Sequence, residues 1–202
     1  MNDTEVDWDY VHRCNFEKAA FWDINWIANA RNLFESAKRL EPEVVRIWDA
    51  YREKIKNAAA PLPIDYFQGP YFMLLAFATE NLLKAAAVSY KRFQYKDEFR
   101  RSKKFPKELM KHDLIKLAQL VGLAYSDTEE DLLRRLTRSA IWFGRYPAPL
   151  DYADMSGQKK FDDGNEYTVS WFGEGDVERL NTFILGLPGR LKLDERHWAS
   201  AA

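Results

Sequence analysis

The chain has 202 residues, of which 47% are apolar and 15% aromatic, enough for one well-buried core but too little to favour two full domains. A charged fraction of 30% and a formal net charge of -1 exclude a disordered chain and a globally basic nucleic-acid binder, so any nucleic-acid surface must be a local patch. Cys14 is the only cysteine, which excludes an intrachain disulfide and a metal site built from paired cysteines.

The first residues are acidic and lack an apolar run, so we expect no secretory signal. The longest apolar run, Tyr71 to Ala78, is followed at once by Thr79 and Glu80. It is much shorter than the roughly 20 apolar residues of a membrane helix. These features predict a cytoplasmic protein that does not enter a membrane, and no motif predicts a metal or a cofactor.

Apolar residues recur at spacings of three and four from Asn15 to Leu40, which predicts a helix over that stretch. The sequence Glu41-Pro42-Glu43 predicts a new helix, ending at about Asn57, because proline suits a first turn and acids favour a helix N-terminus. The two prolines of Ala60-Pro61-Leu62-Pro63 predict a loop.

A central helix is predicted from Tyr71 to about Phe93, after Gly69-Pro70, because this stretch is apolar nearly all round. A basic connector then extends from Lys91 to Lys111. Its nine cations are opposed by only three acids, Asp97, Glu98 and Glu108. The cations are Lys91, Arg92, Lys96, Arg100, Arg101, Lys103, Lys104, Lys107 and Lys111.

Two helices with clear local signals follow. The first begins near His112-Asp113 and stops at Gly122, a residue suited to a left-handed C-terminal position. The second opens at Ser126 or Asp127, because each offers a capping box with the acid three residues later. It is predicted to extend to about Phe143 or Tyr146, before Pro147 and Pro149.

The stretch from Asp151 to Asp176 is acidic and rich in glycine. Alternating aromatic and polar residues around Asp162-Asp163-Gly164-Asn165 predict a short β-hairpin between about Phe161 and Trp171. A last helix is predicted from about Val177 to Leu187, closed by Pro188-Gly189.

Glu80, Asn81 and Lys84 form a polar spot inside the most apolar helix. Glu80 and Lys84 lie four residues apart in the order that favours a helical ion pair. One interpretation is structural, with a salt bridge and a hydrogen-bonded Asn81 that fix the packing. The other is a polar site in a groove between helices.

His112 and Asp113 admit two interpretations as well. Either residue can cap the helix that follows, and a histidine beside an acid could act as a general base. Adjacent residues do not face one another on a helix, so the capping interpretation is favoured.

Three arginines, Arg134, Arg138 and Arg145, fall within a sector of roughly 40° if one helix carries them all. Such a stripe favours an anionic ligand, and Trp142 could stack on the Arg138 guanidinium. The alternatives are a solvated basic face and ion pairs with Glu80 or other acids of a neighbouring helix.

The chain resembles the HEPN superfamily of nucleotide-binding helical proteins in three segments, which occur in the same order and spacing. These are Thr79–Ala85, His112–Ala118 and Ala140–Pro147, and the resemblance covers about Tyr71 to Pro149. It implies an all-α, antiparallel HEPN-like helical bundle, often a homodimer with the motif residues near the dimer cleft. We therefore expect one HEPN-like domain over 1-202, with a core of about 15-149 and a hairpin and C-terminal helix in 150-202.

Many HEPN proteins are metal-independent ribonucleases that use an arginine followed, after four to six residues, by a histidine. The corresponding positions after Arg145 are Leu150, Asp151 and Tyr152, and those after Arg138 are 143-145, with no histidine in either window. The resemblance thus implies a non-catalytic module that binds nucleotide, RNA or a partner protein. That partner would be a cognate nucleotidyltransferase or antitoxin of a toxin-antitoxin or defence system.

The alternatives are a ribonuclease with an altered site, in which Arg145 stabilises charge and Glu80 or His112 moves the proton, and a purely structural partner. The predicted ligand contacts are Glu80, Asn81, Lys84, His112, Arg138, Arg145 and Tyr146, with no catalytic or metal-binding residue assigned.

Overall fold

The computed structural model describes residues 6-61, 67-143, 145-146, 148, 158-160, 166-168 and 172-199. These residues form six α-helices, two short strands and two 3₁₀ turns, which confirms the predicted mainly α-helical class. The elements are α1 (Trp8–Phe21), α2 (Asp23–Lys56), α3 (Gln68–Ser102), a 3₁₀ turn (Lys107–Met110), α4 (Leu114–Leu120), α5 (Asp127–Ile141), β1 (Gln158–Lys160), β2 (Glu166–Thr168), α6 (Gly175–Arg190) and a 3₁₀ turn (Glu195–His197).

The first helical boundary lies at Trp22 and not at Glu41, where it was predicted. Trp22 is extended, with φ -107° and ψ 115°, whereas α2 continues through Pro42. Packing outweighs the hydrogen bond that the proline removes. Glu41 accepts hydrogen bonds from the Tyr71 hydroxyl at 3.2 Å and the Asn181 amide at 3.0 Å, which hold this part of α2 against α3 and α6.

The central helix α3 is longer than predicted, because the first half of the expected connector is helical. A kink at Lys91 (φ -118°, ψ 21°) marks the place where the prediction ended it. Beyond the kink, Tyr95 and Phe99 are buried in a small second core with Phe21 of α1 and Leu109. The charged residues between and around these two aromatic residues concealed their helical spacing.

The local start signals of α4 and α5 are confirmed. Asp113 caps α4 by accepting from the backbone N–H groups of Ile115 and Lys116, and Ser126 with Glu129 forms a complete capping box at α5. The end of α5 was placed too late, since the helix stops at Ile141.

The last helix, α6, exceeds its predicted bounds at both ends and contains Pro188. Proline in a last turn removes only one helical hydrogen bond. Leu187, Leu191 and Leu193 are buried in the main core, so the chain stays packed against it on both sides of the proline. That core also takes side chains from α2, α3, α4 and α5, with α3 in the middle.

The strands β1 and β2 pair antiparallel, with Lys159 opposite Tyr167. The rest of the predicted hairpin between Phe161 and Trp171 lies outside the described residues, so that insertion stays a prediction.

One described helix, α3, is long and apolar enough to cross a membrane by length and composition. However, 78% of its most apolar window is buried inside the protein, as in the core helix of a soluble protein. The cytoplasmic location itself stays a prediction.

Candidate functional site

A stripe of four side chains runs along one face of α3, in the middle of the fold. Phe77, Glu80, Asn81 and Lys84 have helical spacings of three and four, which places them within a sector of roughly 100°. The last three are all buried. Buried polar groups need partners, and here the partners come from the other elements.

The predicted pair between Glu80 and Lys84 is confirmed. The Lys84 Nζ atom donates to Glu80 Oε1 at 2.6 Å, and the two side chains are only 5% and 7% exposed. The Lys84 ammonium also lies 5.9 Å from the ring centroid of Trp26 on α2. This pair keeps a charged carboxylate inside an apolar helix bundle.

His112 reaches the second oxygen of the same carboxylate from the segment before α4. Its Nδ1 atom lies 2.9 Å from Glu80 Oε2, across 32 residues of sequence. The His112 side chain is 53% exposed, so the cluster opens to solvent on this side. The capping role considered for His112 belongs to Asp113, which leaves the imidazole available for this contact.

Asn81 is fixed by two hydrogen bonds, as the structural interpretation predicted. Its Nδ2 donates to the Phe77 carbonyl at 2.7 Å, and its Oδ1 accepts from Asn29 Nδ2 at 3.0 Å. Asn29 and Trp26 were missed by the sequence analysis. The sequence feature that could have revealed these two residues is a polar side chain, Asn29, three residues after Trp26 on α2.

Arg145 is not part of an arginine stripe, because α5 ends at Ile141 and Arg145 lies beyond it. The exposed guanidinium instead lies over the ring of Phe77, 4.8 Å from its centroid. Phe77 is one helical turn from Glu80 and Asn81. The turn after α5 thus places Arg145 against α3, and helical periodicity could not predict that turn. Tyr146, its neighbour, is about half-exposed.

The other two arginines of the predicted stripe are buried in α5. Arg134 pairs with Glu130 one turn earlier, at 2.5 Å. The predicted contact of Arg138 with Trp142 is confirmed, with the guanidinium carbon 5.9 Å from the ring centroid.

We call the group of Glu80, Asn81, Lys84, His112 and Arg145 the α3 cluster. It combines one carboxylate with an ammonium group, a guanidinium group and an imidazole. If His112 donates from Nδ1 to Glu80, its Nε2 atom keeps a lone pair that can accept a hydrogen bond or a proton. Arg145 supplies donors suited to phosphate.

No family model, curated protein or solved structure matches the chain, and its resemblance to HEPN proteins therefore stays a prediction.

Proposed function

We propose that the chain is a HEPN-like binding module that takes a phosphate-bearing ligand, a nucleotide or RNA, at the α3 cluster. The observation that carries the proposal is convergence. His112 contacts Glu80, and Arg145 lies over Phe77 one helical turn earlier, so two segments distant in sequence contact the same face of α3. His112 and Arg145 are exposed, so the cluster can be reached from solvent.

A purely structural role accounts for only part of this geometry. It explains the buried pair of Glu80 with Lys84 and the hydrogen bonds of Asn81. It gives no role to the exposed Arg145 over Phe77 or to the exposed His112 at Glu80. Arginine over an aromatic ring keeps its N–H donors available for an anion such as phosphate, which supports the binding proposal.

Homodimerisation, a cytoplasmic location and a cognate nucleotidyltransferase or antitoxin belong to this proposal, because the HEPN resemblance implies them. Exposed aromatic side chains on the outer part of α1, Trp8 and Tyr10, are consistent with a further interface.

Arg145→Ala is expected to weaken nucleotide or RNA binding by about 1–3 kcal/mol, the range for charge-assisted hydrogen bonds. Wild-type binding should weaken as salt rises, because phosphate contacts release counterions. Titration of a fluorescent nucleotide and a short labelled RNA, each at several salt concentrations, measures both effects.

The matched control is Arg196→Ala, which removes an equally charged and well-exposed side chain near the C-terminal end of the described chain. It should leave binding unchanged. The proposal fails if wild-type protein shows no salt-sensitive binding, or if Arg145→Ala binds normally while melting at a lower temperature.

A second candidate, a ribonuclease with an altered site, is favoured by the contact of His112 with Glu80. Glu80 would orient the imidazole, and Nε2 would take the proton of an RNA 2′-hydroxyl. The 2′-oxygen then bonds to the adjacent phosphorus, the bond to the 5′-oxygen breaks, and that oxygen regains a proton from the imidazolium. Arg145 would stabilise the charge on the phosphorus centre.

Incubation of the protein with labelled RNA in the presence of a chelator decides between the two candidates. Cleavage that falls by about 10²-fold or more in His112→Ala supports the ribonuclease, because general acid–base catalysis contributes that much. Binding without cleavage supports the non-catalytic module.

A further inference from the structure

The segment between α3 and α4 folds back along α3, and its acid Glu108 contacts that helix. Glu108 accepts from the Tyr95 hydroxyl at 2.8 Å and from Lys91 Nζ at 3.1 Å. The Tyr95 hydrogen bond, with help from Lys91, holds the pKa of Glu108 below its usual value. Pro106 and Leu109 are buried and Phe105 packs against Phe21, so the segment presents most of its other residues outward.

Four of those outward residues are lysines, and we call them the lysine segment: Lys103, Lys104, Lys107 and Lys111. All four are exposed. Among the described residues, none of their ammonium groups lies within 4.0 Å of a carboxylate. In the last turns of α3, by contrast, Lys96 and Arg100 both pair with Glu17.

The end of α3 explains only part of this charge. A helix C-terminus attracts cations, but the effect falls off within the last turn. It can account for Lys103 and Lys104, which directly follow Ser102, and not for Lys107 or Lys111. In a chain of formal net charge -1, four exposed lysines within nine residues form a local basic patch of the kind that binds polyanions.

The patch is continuous with the α3 cluster, because Lys111 directly precedes His112. Phosphates that followed the lysines would therefore lead to His112, which contacts the same face of α3 as Arg145. The half-exposed Tyr146 beside Arg145 offers a ring on which a base can stack. A lipid surface would use the lysines but would leave the cluster without a role.

We propose that the lysine segment binds the sugar-phosphate backbone of a single-stranded nucleic acid, with one of its nucleotides held at the α3 cluster. The binding of one nucleotide at the α3 cluster rests on the proposed function. The binding of the sugar-phosphate backbone to the lysine segment does not. Each lysine neutralises one phosphate, so binding should depend on salt more steeply for an oligonucleotide than for a mononucleotide.

The test compares two triple variants of equal net charge. Lys103→Gln, Lys104→Gln and Lys107→Gln are combined in one protein. In the control, Lys18→Gln, Lys56→Gln and Lys192→Gln remove three exposed lysines from other surfaces. Fluorescence anisotropy measures binding of a single-stranded RNA of about 12 nucleotides at several salt concentrations. Mononucleotide and anionic vesicles serve as further probes, and thermal melting checks that both variants fold.

We expect the lysine-segment variant to bind RNA about tenfold or more weakly than wild type. The slope of the logarithm of its binding constant against the logarithm of salt concentration should be shallower by about two. The control should stay within about twofold of wild type, and mononucleotide binding should be unchanged in both. Equal losses in the two variants, no loss in either, or lysine-dependent binding to vesicles without RNA binding would overturn the proposal. If the lysine variant loses RNA affinity while Arg145→Ala binds nucleotide normally, the lysine segment stands and the proposed function fails.

Discussion

Asp176→Ala is expected to lower the free energy of unfolding by about 3–5 kcal/mol, the cost of removing one partner from a buried ion pair. Asp176 accepts from Arg135 at 2.6 and 3.2 Å and from the Gly173 N–H at 2.8 Å. The two charged side chains are 8% and 6% exposed. Without Asp176, Asp131 is the one carboxylate partner that the guanidinium keeps among the described residues, and Asp131 is itself substantially exposed.

Chemical denaturation of wild type and variant measures this loss. Arg179→Ala is the control, because Arg179 lies 3.6 Å from the same carboxylate but is mostly exposed; it should cost less than about 0.5 kcal/mol. The combined change Arg135→Met and Asp176→Leu removes both charges and should recover most of the stability. A cost below about 1 kcal/mol for Asp176→Ala would contradict the argument.

The ion pair of Asp176 with Arg135 also predicts how the stability of the fold depends on pH. Burial alone would raise the pKa of Asp176, but hydrogen bonds from Arg135 and Gly173 outweigh it and hold the pKa below its usual 3.8. A depressed carboxyl pKa contributes stability that is fully present above the unfolded-state value and is lost as pH falls through the folded-state value. The difference between wild type and Asp176→Ala should therefore shrink below about pH 4.

Features set by a few adjacent residues were predictable from the sequence. The caps at Asp113 and Ser126 depend on hydrogen bonds over two or three residues, and the pair of Glu80 with Lys84 depends on a spacing of four. Each is local, so composition and spacing were enough to identify it.

Contacts between distant segments were not predictable from periodicity. The buried carboxylate partner of Arg135, Asp176, is 41 residues away in α6. The stripe through Arg145 failed because it extrapolated a helix past Ile141. The boundary at Pro42 failed for the opposite reason, because tertiary packing sustained a helix that local preference would end.

Glu80→Ala should be as costly as Asp176→Ala, about 3–5 kcal/mol, because it leaves the Lys84 ammonium buried without its carboxylate. It also removes the acceptor of His112. His112→Ala, in contrast, takes away a half-exposed side chain and should cost less than about 1 kcal/mol. Thermal and denaturant unfolding should show a clearly larger loss of stability in Glu80→Ala than in His112→Ala. Similar losses would show that the pair of Glu80 with Lys84 is not the main stabilising contact.

Glu80→Leu combined with Lys84→Met then separates stability from binding. Replacing both members of a buried pair by apolar residues of similar volume should restore stability to within about 1 kcal/mol of wild type. If the α3 cluster is a ligand site, this well-folded variant should still bind nucleotide more weakly, since His112 has lost the carboxylate that positions it. Normal binding by the restored variant would limit Glu80 and Lys84 to a structural role, with Arg145 and His112 left as the ligand contacts to test.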